Sequence, residues 1–331
     1  MMHMPFTIHA AVLSDTGRIR HHNEDAFYCN GFFNPLEDMD RHTEHDEHIT
    51  DNRCLFAICD GMGGQQHGEQ AANAAIGQLG MLRQQLPGRD FRTVMQHWLQ
   101  QTNRVVREFS DGGGCTLALL YVESTTVRFC HVGDSRIYRF HQAQLTCLTR
   151  DHSQVALMVS AGMITAEEAR THPHRHAITR YLGMPAPVTC EASYGEDIPF
   201  IADDIYLLCS DGVTDMLTDE ALAHILRTES SLTDMAKRIY QEALEAGGRD
   251  NITLQLVQLQ HCSEEPLPMA PDEEDEPTID CGPPEPLDQT ITLRITQTNG
   301  TAPATTTDVT MSLPVRPNST VNITTIIGRN G

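Results

Sequence analysis

The sequence has few basic residues, and it lacks both a C-x-x-C cysteine pair and a long apolar segment. Its 331 residues contain 23 Lys and Arg against 45 Asp and Glu, which gives a formal net charge of −22. Nucleic acids and anionic membranes both repel a protein of this charge. We therefore predict that neither nucleic acid nor a membrane is a main partner.

The cysteine pattern and the absence of a long apolar segment indicate in which cellular compartment the protein is found. Several of the ten cysteines lie inside apolar runs, where cysteine is typically a small buried hydrophobic residue. No window approaches eighteen apolar residues, and the N-terminus has no basic region followed by an apolar one. We expect a reducing, cytoplasmic compartment, with no export signal. The length allows one large domain with an appendage, or two modest domains.

The most informative stretch present is an apolar run that ends in an acidic residue. Residues 55–59 predict a short buried strand, and Asp60 follows at its end. Three of the next four residues are glycines, which let the backbone turn sharply and bring its carbonyls close to an ion or a phosphate. An ordinary turn between a strand and a helix is the alternative from this stretch alone.

Further acidic residues share this position at the end of a predicted strand. Hard divalent cations such as Mg²⁺ and Mn²⁺ favour oxygen ligands, which several strand ends at one sheet edge would provide. No Cys or His recurs in this pattern, which disfavours zinc. Arg20 precedes the first acidic pair and is suited to bidentate phosphate binding. The further acidic positions are Glu24, Asp25, Asp134, Asp211 and Asp250.

The rest of the chain shows helical periodicity with two polar excursions. Apolar spacing predicts helices over residues 67–86, 90–109, 218–228 and 231–246, and capping residues predict two short helices within 150–180. Residues 30–53 have few apolar anchors, so we predict a solvated loop. Because His42, His45 and His48 are spaced by three, a zinc site on one helix face is the alternative.

In their order along the chain and in their residues, these motifs resemble those of the metal-dependent protein phosphatases of type 2C, the PPM family, in their bacterial form. The resemblance runs from about residue 6 to residue 260 and is carried by Arg20-x-x-Asn23-Glu24-Asp25, Asp60-Gly61-Met62-Gly63-Gly64, Gly68-Glu69, Gly133-Asp134-Ser135-Arg136, Ser210-Asp211-Gly212 and Asp250-Asn251. It implies an α+β fold, a four-layer α/β/β/α sandwich. Two central antiparallel sheets would be flanked by helix pairs, with a binuclear metal site at one end.

The resemblance also implies a role for each acidic residue. Two Mn²⁺ or Mg²⁺ ions would be held by the bridging Asp60, the carbonyl of Gly61, Asp211 and Asp250 on one side, and Glu24, mostly through water, on the other. Asp134 with Asp211 resembles the site of a third ion. Asp25 would contact metal-bound water, and Arg20 would hold the substrate phosphate. No other cofactor is implied. Met62 stands where some members have a His proposed to act as general acid, so that role stays unassigned.

The function implied is metal-dependent hydrolysis of phosphoserine and phosphothreonine in proteins by an activated water. Phosphorylated proteins and a cognate Ser/Thr kinase would be the partners. The alternative is a catalytically silent, phosphatase-like binding module, but every expected carboxylate is present, which argues against it. The extent of the resemblance predicts a catalytic domain over residues 1–262. It also implies a flap at about residues 150–180 that borders the cleft in which the substrate binds.

The C-terminal region differs in composition. Residues 263–289 predict an acidic, Pro-rich linker. Residues 290–331 are rich in Thr, with strand-like alternation at 291–295 and 321–324. The run Ile326-Ile327-Gly328-Arg329 faintly resembles the start of a forkhead-associated domain, so this segment is either such a start or a tail without a core.

Overall fold

The computed structural model describes residues 6–63, 66–261, 290–297 and 305–312. The chain divides into two compact units, Met1–Glu264 and Glu265–Gly331. In the first unit, the helices of the described part are α1 (Gln66–Ile76), α2 (Leu79–Gln85), α3 (Phe91–Phe109), α4 (Gln154–Ser160), α5 (Ala166–Thr171), α6 (Asp211–Thr214), α7 (Asp219–Thr228) and α8 (Leu232–Glu245), with one 3₁₀ turn at Leu36–Asp38.

The strands of the first unit form two antiparallel sheets. They are β1 (Phe6–Asp15), β2 (Asp25–Cys29), β3 (Phe32–Phe33), β4 (Thr43–Ile49), β5 (Arg53–Met62), β6 (Gly114–Cys115), β7 (Leu117–Glu123), β8 (Thr126–Val132), β9 (Arg136–His141), β10 (Gln144–Cys147), β11 (Ser193–Tyr194), β12 (Ile198–Pro199), β13 (Ile205–Cys209) and β14 (Ile252–His261). One sheet has the order β10-β9-β13-β14-β1-β4. The other has the order β11-β8-β7-β5-β2-β3, and β12 and β6 pair with its strands β8 and β5.

The two sheets pack face to face, and helices cover both outer faces. The layer between the sheets is apolar and includes the fully buried Phe27, Phe56 and Tyr206. Each such side chain contributes about 1.5–3 kcal/mol to the free energy of unfolding. Residues of α1, α2 and α3 pack on the β5 sheet, and residues of α7 and α8 pack on the β14 sheet. The result is the four-layer α/β/β/α sandwich that the sequence predicted.

Strand β5 shows why its sequence is a continuous apolar run. Leu55, Ala57 and Cys59 face the helices, whereas Phe56 and Ile58 face the other sheet. Both faces are therefore buried, and apolar residues occupy every position as in other strands covered on both sides. The strand continues through Asp60 to Met62, which places the carboxylate at the rim of the sandwich.

The predicted helix over residues 67–86 is wrong in one respect, because it is interrupted. Helix α1 ends at Ile76 and α2 begins at Leu79. Gly77 follows α1 directly, and glycine disfavours the helix interior by about 1 kcal/mol relative to alanine. The predicted helices in the 150–180 segment are confirmed. Ser153 caps α4, and Thr165 forms a capping box with Glu168 at α5.

The solvated loop predicted for residues 30–53 is wrong over residues 43–49, which form the edge strand β4 paired with β1. Side chains alternate along a strand, so residues 43, 45, 47 and 49 face inward and are less exposed than their neighbours. His45 therefore points to the inner side, and His48 to the outer side. The alternative of three histidines on one helix face is wrong for the same reason.

In the second unit the structure describes an antiparallel hairpin of β15 (Thr290–Gln297) and β16 (Thr305–Ser312). The strand predicted at 291–295 is confirmed. The predicted linker at 263–289, the strand at 321–324 and the run of residues 326–329 lie outside the described residues. Within the described ranges, none of the helices combines the length and apolar character that crossing a bilayer requires.

Candidate metal centre

The predicted acidic residues meet at one rim of the sandwich. Asp25 opens β2 and is the direct cross-strand partner of Asp60 on β5. The charge of Asp60 is within electrostatic range of the carboxylates of Asp25, Asp134, Asp211 and Asp250. Residues separated by up to 225 positions in the sequence are thus brought together. A cavity of about 790 Å³ opens beside them and is lined in part by Arg20, Asp134, Asp211 and Asp250.

Two hydrogen bonds to Thr116 hold the backbone of Asp60 in place. Its N–H donates to Oγ1 of Thr116 at 2.9 Å, and the Thr116 N–H donates to the Asp60 carbonyl at 2.8 Å. The Thr116 hydroxyl also shares a 2.6 Å hydrogen bond with Ser135. Burial first, and then the neighbouring Asp25, raise the pKa of Asp60 well above its ordinary value.

Asp25 is almost completely buried, with 1% of its surface exposed. The Ser210 hydroxyl donates to its Oδ2 at 2.7 Å, which links β2 to the residue after β13. Burial raises the pKa of Asp25 to about 7, although the hydrogen bond from Ser210 acts in the opposite direction. In the absence of a cation, burial therefore favours the protonated form of this carboxyl group.

Glu24 lies where three backbone segments pass close together. Its N–H donates to Oδ1 of Asn251 at 2.9 Å, and its carbonyl accepts from the N–H of Gly61 at 3.0 Å. A Cβ atom on Gly68 would lie 2.5 Å from Oε2 of Glu24, so only glycine leaves room for this carboxylate. Burial raises the pKa of Glu24.

Asp250 and Arg20 form an ion pair at the mouth of the cavity, with 2.8 Å between Nη2 of Arg20 and Oδ2 of Asp250. The Arg20 side chain is 49% exposed and is also within electrostatic range of Glu24 and Asp211. Burial and the neighbouring Asp211 raise the pKa of Asp250, despite the attraction to Arg20.

Asp134 follows β8 and is 8% exposed. Its Oδ1 is buried and has no hydrogen-bond partner among the described residues. Burial first, and then Asp211, raise the pKa of its carboxyl group well above its ordinary value. A buried oxygen without a donor is costly, and a cation is one means of satisfying it.

The donor atoms of this rim fit a hard divalent cation. All of the predicted ligands are oxygens, and the raised pKa values of Asp60, Asp134 and Asp250 show that burying like charges together is unfavourable. A cation would offset both the repulsion and the loss of solvation. The predicted residues therefore form one acidic site, with Arg20 as the cationic side chain beside it.

His176 lies in the 150–180 segment, where the sequence favours a solvated loop for the histidines and a role with a metal or a substrate is the alternative. Its Nδ1 lies 3.6 Å from Oδ2 of Asp211, and its Nε2 lies 3.8 Å from Oδ2 of Asp215. These three residues place one donor atom each within 4.8 Å of the others. No signal in the sequence connects His176 with Asp211, because they are 35 positions apart and belong to different structural segments.

Comparison with known proteins identifies the family. The family model described as Stage II sporulation protein E (SpoIIE) matches residues 50–260. The serine/threonine phosphatase stp of Listeria monocytogenes is 32% identical over 261 residues, which cover 76% of this chain and 96% of that protein. The chain belongs to the PPM family.

Solved PPM structures have the same architecture. The serine/threonine phosphatase PstP/Ppp of Mycobacterium tuberculosis is 30% identical and superimposes with a TM-score of 0.64, covering 77% of this chain and 100% of that one. The catalytic domain of PstP in complex with two manganese ions is 28% identical with a TM-score of 0.62, covering 77% and 99%. The family, the α+β fold and the Ser/Thr phosphatase class predicted from the sequence are confirmed.

Proposed function

We propose that this PPM phosphatase hydrolyses phosphoserine and phosphothreonine in proteins at the rim formed by Asp25, Asp60, Asp134, Asp211 and Asp250. The observation that carries the proposal is the convergence of these carboxylates beside a cavity that Arg20 also lines. Oxygen ligands for cations and a cationic side chain for phosphate are the two requirements of metal-assisted phosphate ester hydrolysis.

Two divalent cations, Mn²⁺ or Mg²⁺, would bind at this rim. Asp60 would contact both, Asp211, Asp250 and the Gly61 carbonyl would bind one, and Glu24 would bind the other. The unpartnered Oδ1 of Asp134 supports a third position shared with Asp211. When bound, such a pair of cations supplies an activated water and neutralises charge on the phosphoryl group. The complex of PstP with two manganese ions supports the binding of two cations.

Arg20 and Asp25 would act on the substrate and on water. The guanidinium of Arg20 is half exposed and faces the cavity, so it can exchange Asp250 for two phosphoryl oxygens. Asp25 is oriented by Ser210, and in its carboxylate form it can accept a proton from water in the site. Burial raises the pKa of this group. Cations held by its neighbours would lower that pKa and favour the carboxylate.

The cavity also indicates which substrates enter. The predicted flap at about residues 150–180 contributes Arg170, Arg175 and His176 to its lining. These basic side chains would attract phosphorylated segments of proteins, and a cognate Ser/Thr kinase would produce such segments. All eight cysteines within the described ranges are free thiols, which supports the proposed cytoplasmic location.

The test is phosphate release from a phosphothreonine peptide by the full chain with Mn²⁺, with EDTA, and after Asp250→Asn. We expect release with Mn²⁺, none with EDTA, and a loss of at least about 100-fold in the variant. Glu108→Gln, which changes an exposed acid on α3, is the matched control and retains activity. A folded chain that binds Mn²⁺ but releases no phosphate from several peptides would instead be the silent binding module.

A further inference from the structure

A second group of ligand-type side chains lies where β2 ends, away from the acidic rim. Cys29, His45 and Glu47 place a sulfur, an imidazole nitrogen and a carboxylate oxygen within 4.8 Å of one another. Cys29 comes from the β5 sheet, and the other two come from β4 at the edge of the β14 sheet. The group therefore joins the two sheets at their shared border.

The distances are close to those of a tetrahedral metal site. Sγ of Cys29 lies 3.2 Å from Oε1 of Glu47, and Nε2 of His45 lies 3.6 Å from the same oxygen. Ligands bound tetrahedrally to Zn²⁺ lie roughly 3.3–3.5 Å from each other, given zinc bonds of about 2.0–2.3 Å. His45 and Glu47 are two apart on a strand, so both project to one face.

Unsatisfied polar atoms surround this group. Nε2 of His45 is buried and has no hydrogen-bond partner in the described part of the chain. Gln255 on β14 is fully buried and close enough to the Cys29 thiol to affect it, yet neither of its amide atoms completes a hydrogen bond with a described residue. Gln255 and His45 both pair with Val12 across β1, so they face the same inter-sheet layer.

The ring of His45 is also fixed in orientation. Phe32 stacks on it with ring centroids 3.9 Å apart and planes inclined by 17°. The side chains of His45 and Glu47 are 23% and 30% exposed, which leaves a path for an ion, whereas Cys29 is fully buried. An oriented imidazole, a buried thiol and an accessible carboxylate are features of protein zinc sites.

We propose that Cys29, His45 and Glu47 bind a zinc ion that fastens the edge strand β4 to the inter-sheet core, with a fourth coordination position open. Sulfur and imidazole ligands favour Zn²⁺ over Mn²⁺ or Mg²⁺. The site thus differs in chemistry from the oxygen-only rim and does not depend on the function proposed for that rim. Without a metal, the same atoms would form only a hydrogen bond from thiol to carboxylate.

Cobalt substitution distinguishes a metal site from a simple hydrogen bond between the thiol and the carboxylate. The reduced, full chain is titrated with Co²⁺, and the near-ultraviolet absorption is followed for the charge-transfer band that a cobalt–thiolate bond produces. We expect the band to saturate at the intensity of one cobalt–thiolate bond per chain and to disappear when Zn²⁺ is added. Co²⁺ bound at the acidic rim gives no such band, because that site has no sulfur ligand.

Variants assign the band to this group. Cys29→Ser abolishes it, and His45→Asn weakens Co²⁺ binding at least tenfold. Cys130→Ser, which changes another fully buried cysteine, retains the band, as does His48→Asn on the outer face of β4. Asp60→Asn removes phosphatase activity but keeps the band, so failure of one proposal is distinguishable from failure of the other.

Two results would overturn the zinc proposal. One is a folded wild-type chain that shows no thiolate band with excess Co²⁺. The other is a band that survives Cys29→Ser or is lost with Cys130→Ser. Near-ultraviolet circular dichroism checks that each variant is folded, and His45→Asn decides the matter if Cys29→Ser does not fold.

Discussion

The two ends of β2 lie beside clusters of ionisable side chains with different donor atoms. Asp25, its first residue, belongs to the acidic rim, whereas Cys29, its last, contacts Glu47 beside His45. The strand is five residues long, so its ends are only about 13 Å apart. The acidic rim offers only oxygen atoms as ligands, and its carboxylates repel one another. The Cys29 cluster instead combines sulfur, nitrogen and oxygen. The two proposed sites would thus give one fold two ion chemistries, with the donor atoms rather than the position determining which ion fits.

Asp60→Asn is expected to have the largest effect, and it acts on the acidic rim alone. Phosphate release falls at least about 10³-fold, because the proposed bridging carboxylate is lost. In EDTA the free energy of unfolding rises by about 1 kcal/mol, since the raised pKa of the buried Asp60 carboxyl destabilises the folded chain at neutral pH and the neutral amide removes that cost. Phosphate assays and denaturation in EDTA measure the two changes. Retained activity would contradict the assignment of Asp60.

Arg20→Ala is expected to lower kcat/KM about 10–100-fold, because the variant loses the cationic contact to the substrate phosphate. Arg20→Lys restores only part of the activity, since an ammonium group cannot form a bidentate contact. Steady-state kinetics on a phosphothreonine peptide measure both variants. Arg18→Ala, at an exposed neighbouring position, is the control and leaves kcat/KM within about twofold.

Gly68→Ala tests whether close packing positions Glu24. The added Cβ would lie 2.5 Å from Oε2 and 2.8 Å from Cδ of Glu24, and 2.8 Å from the carbonyl carbon of Gly61, so the carboxylate must move and the Gly61 carbonyl is also disturbed. We expect activity to fall about tenfold and the Mn²⁺ concentration needed for half-maximal activity to rise. Gly80→Ala is the matched control, because its Cβ would meet no atom within 4 Å in α2. It stabilises the chain by about 0.5–1 kcal/mol and leaves activity unchanged.

Among these variants, His45→Asn is expected to have the smallest effect on phosphatase activity. It is expected to change the stability of the chain only when Zn²⁺ is present. Zn²⁺ at 100 times its dissociation constant stabilises the wild-type chain by about 2.7 kcal/mol, and the variant loses this gain. Phosphate release with Mn²⁺ is unchanged, because His45 lies outside the rim. Thermal unfolding with and without Zn²⁺ measures the effect, and equal zinc stabilisation in both proteins would remove the contrast between the two clusters.

Local sequence predicted those parts of the molecule whose signal lies within one element. The apolar run of β5 and the carboxylate and glycines after it indicated both a buried strand and a site at its end. Capping residues located α4 and α5 correctly. Strand β4 was missed, because its inward positions include His45 and Glu47 instead of apolar residues, and its pairing with β1 determines its conformation.

The sequence alone determined the family, the reaction class and the residue types of the acidic site. These depend on short motifs and on their order along the chain, and both can be seen without the structure. Only the tertiary structure decided which groups meet. Glu24 bonds Asn251 across 227 positions, Ser210 bonds Asp25 across 185, and His176 approaches Asp211 from a separate segment. Local patterns encode periodicity and capping over a few residues, whereas sheet register and packing set distances between residues far apart in the chain.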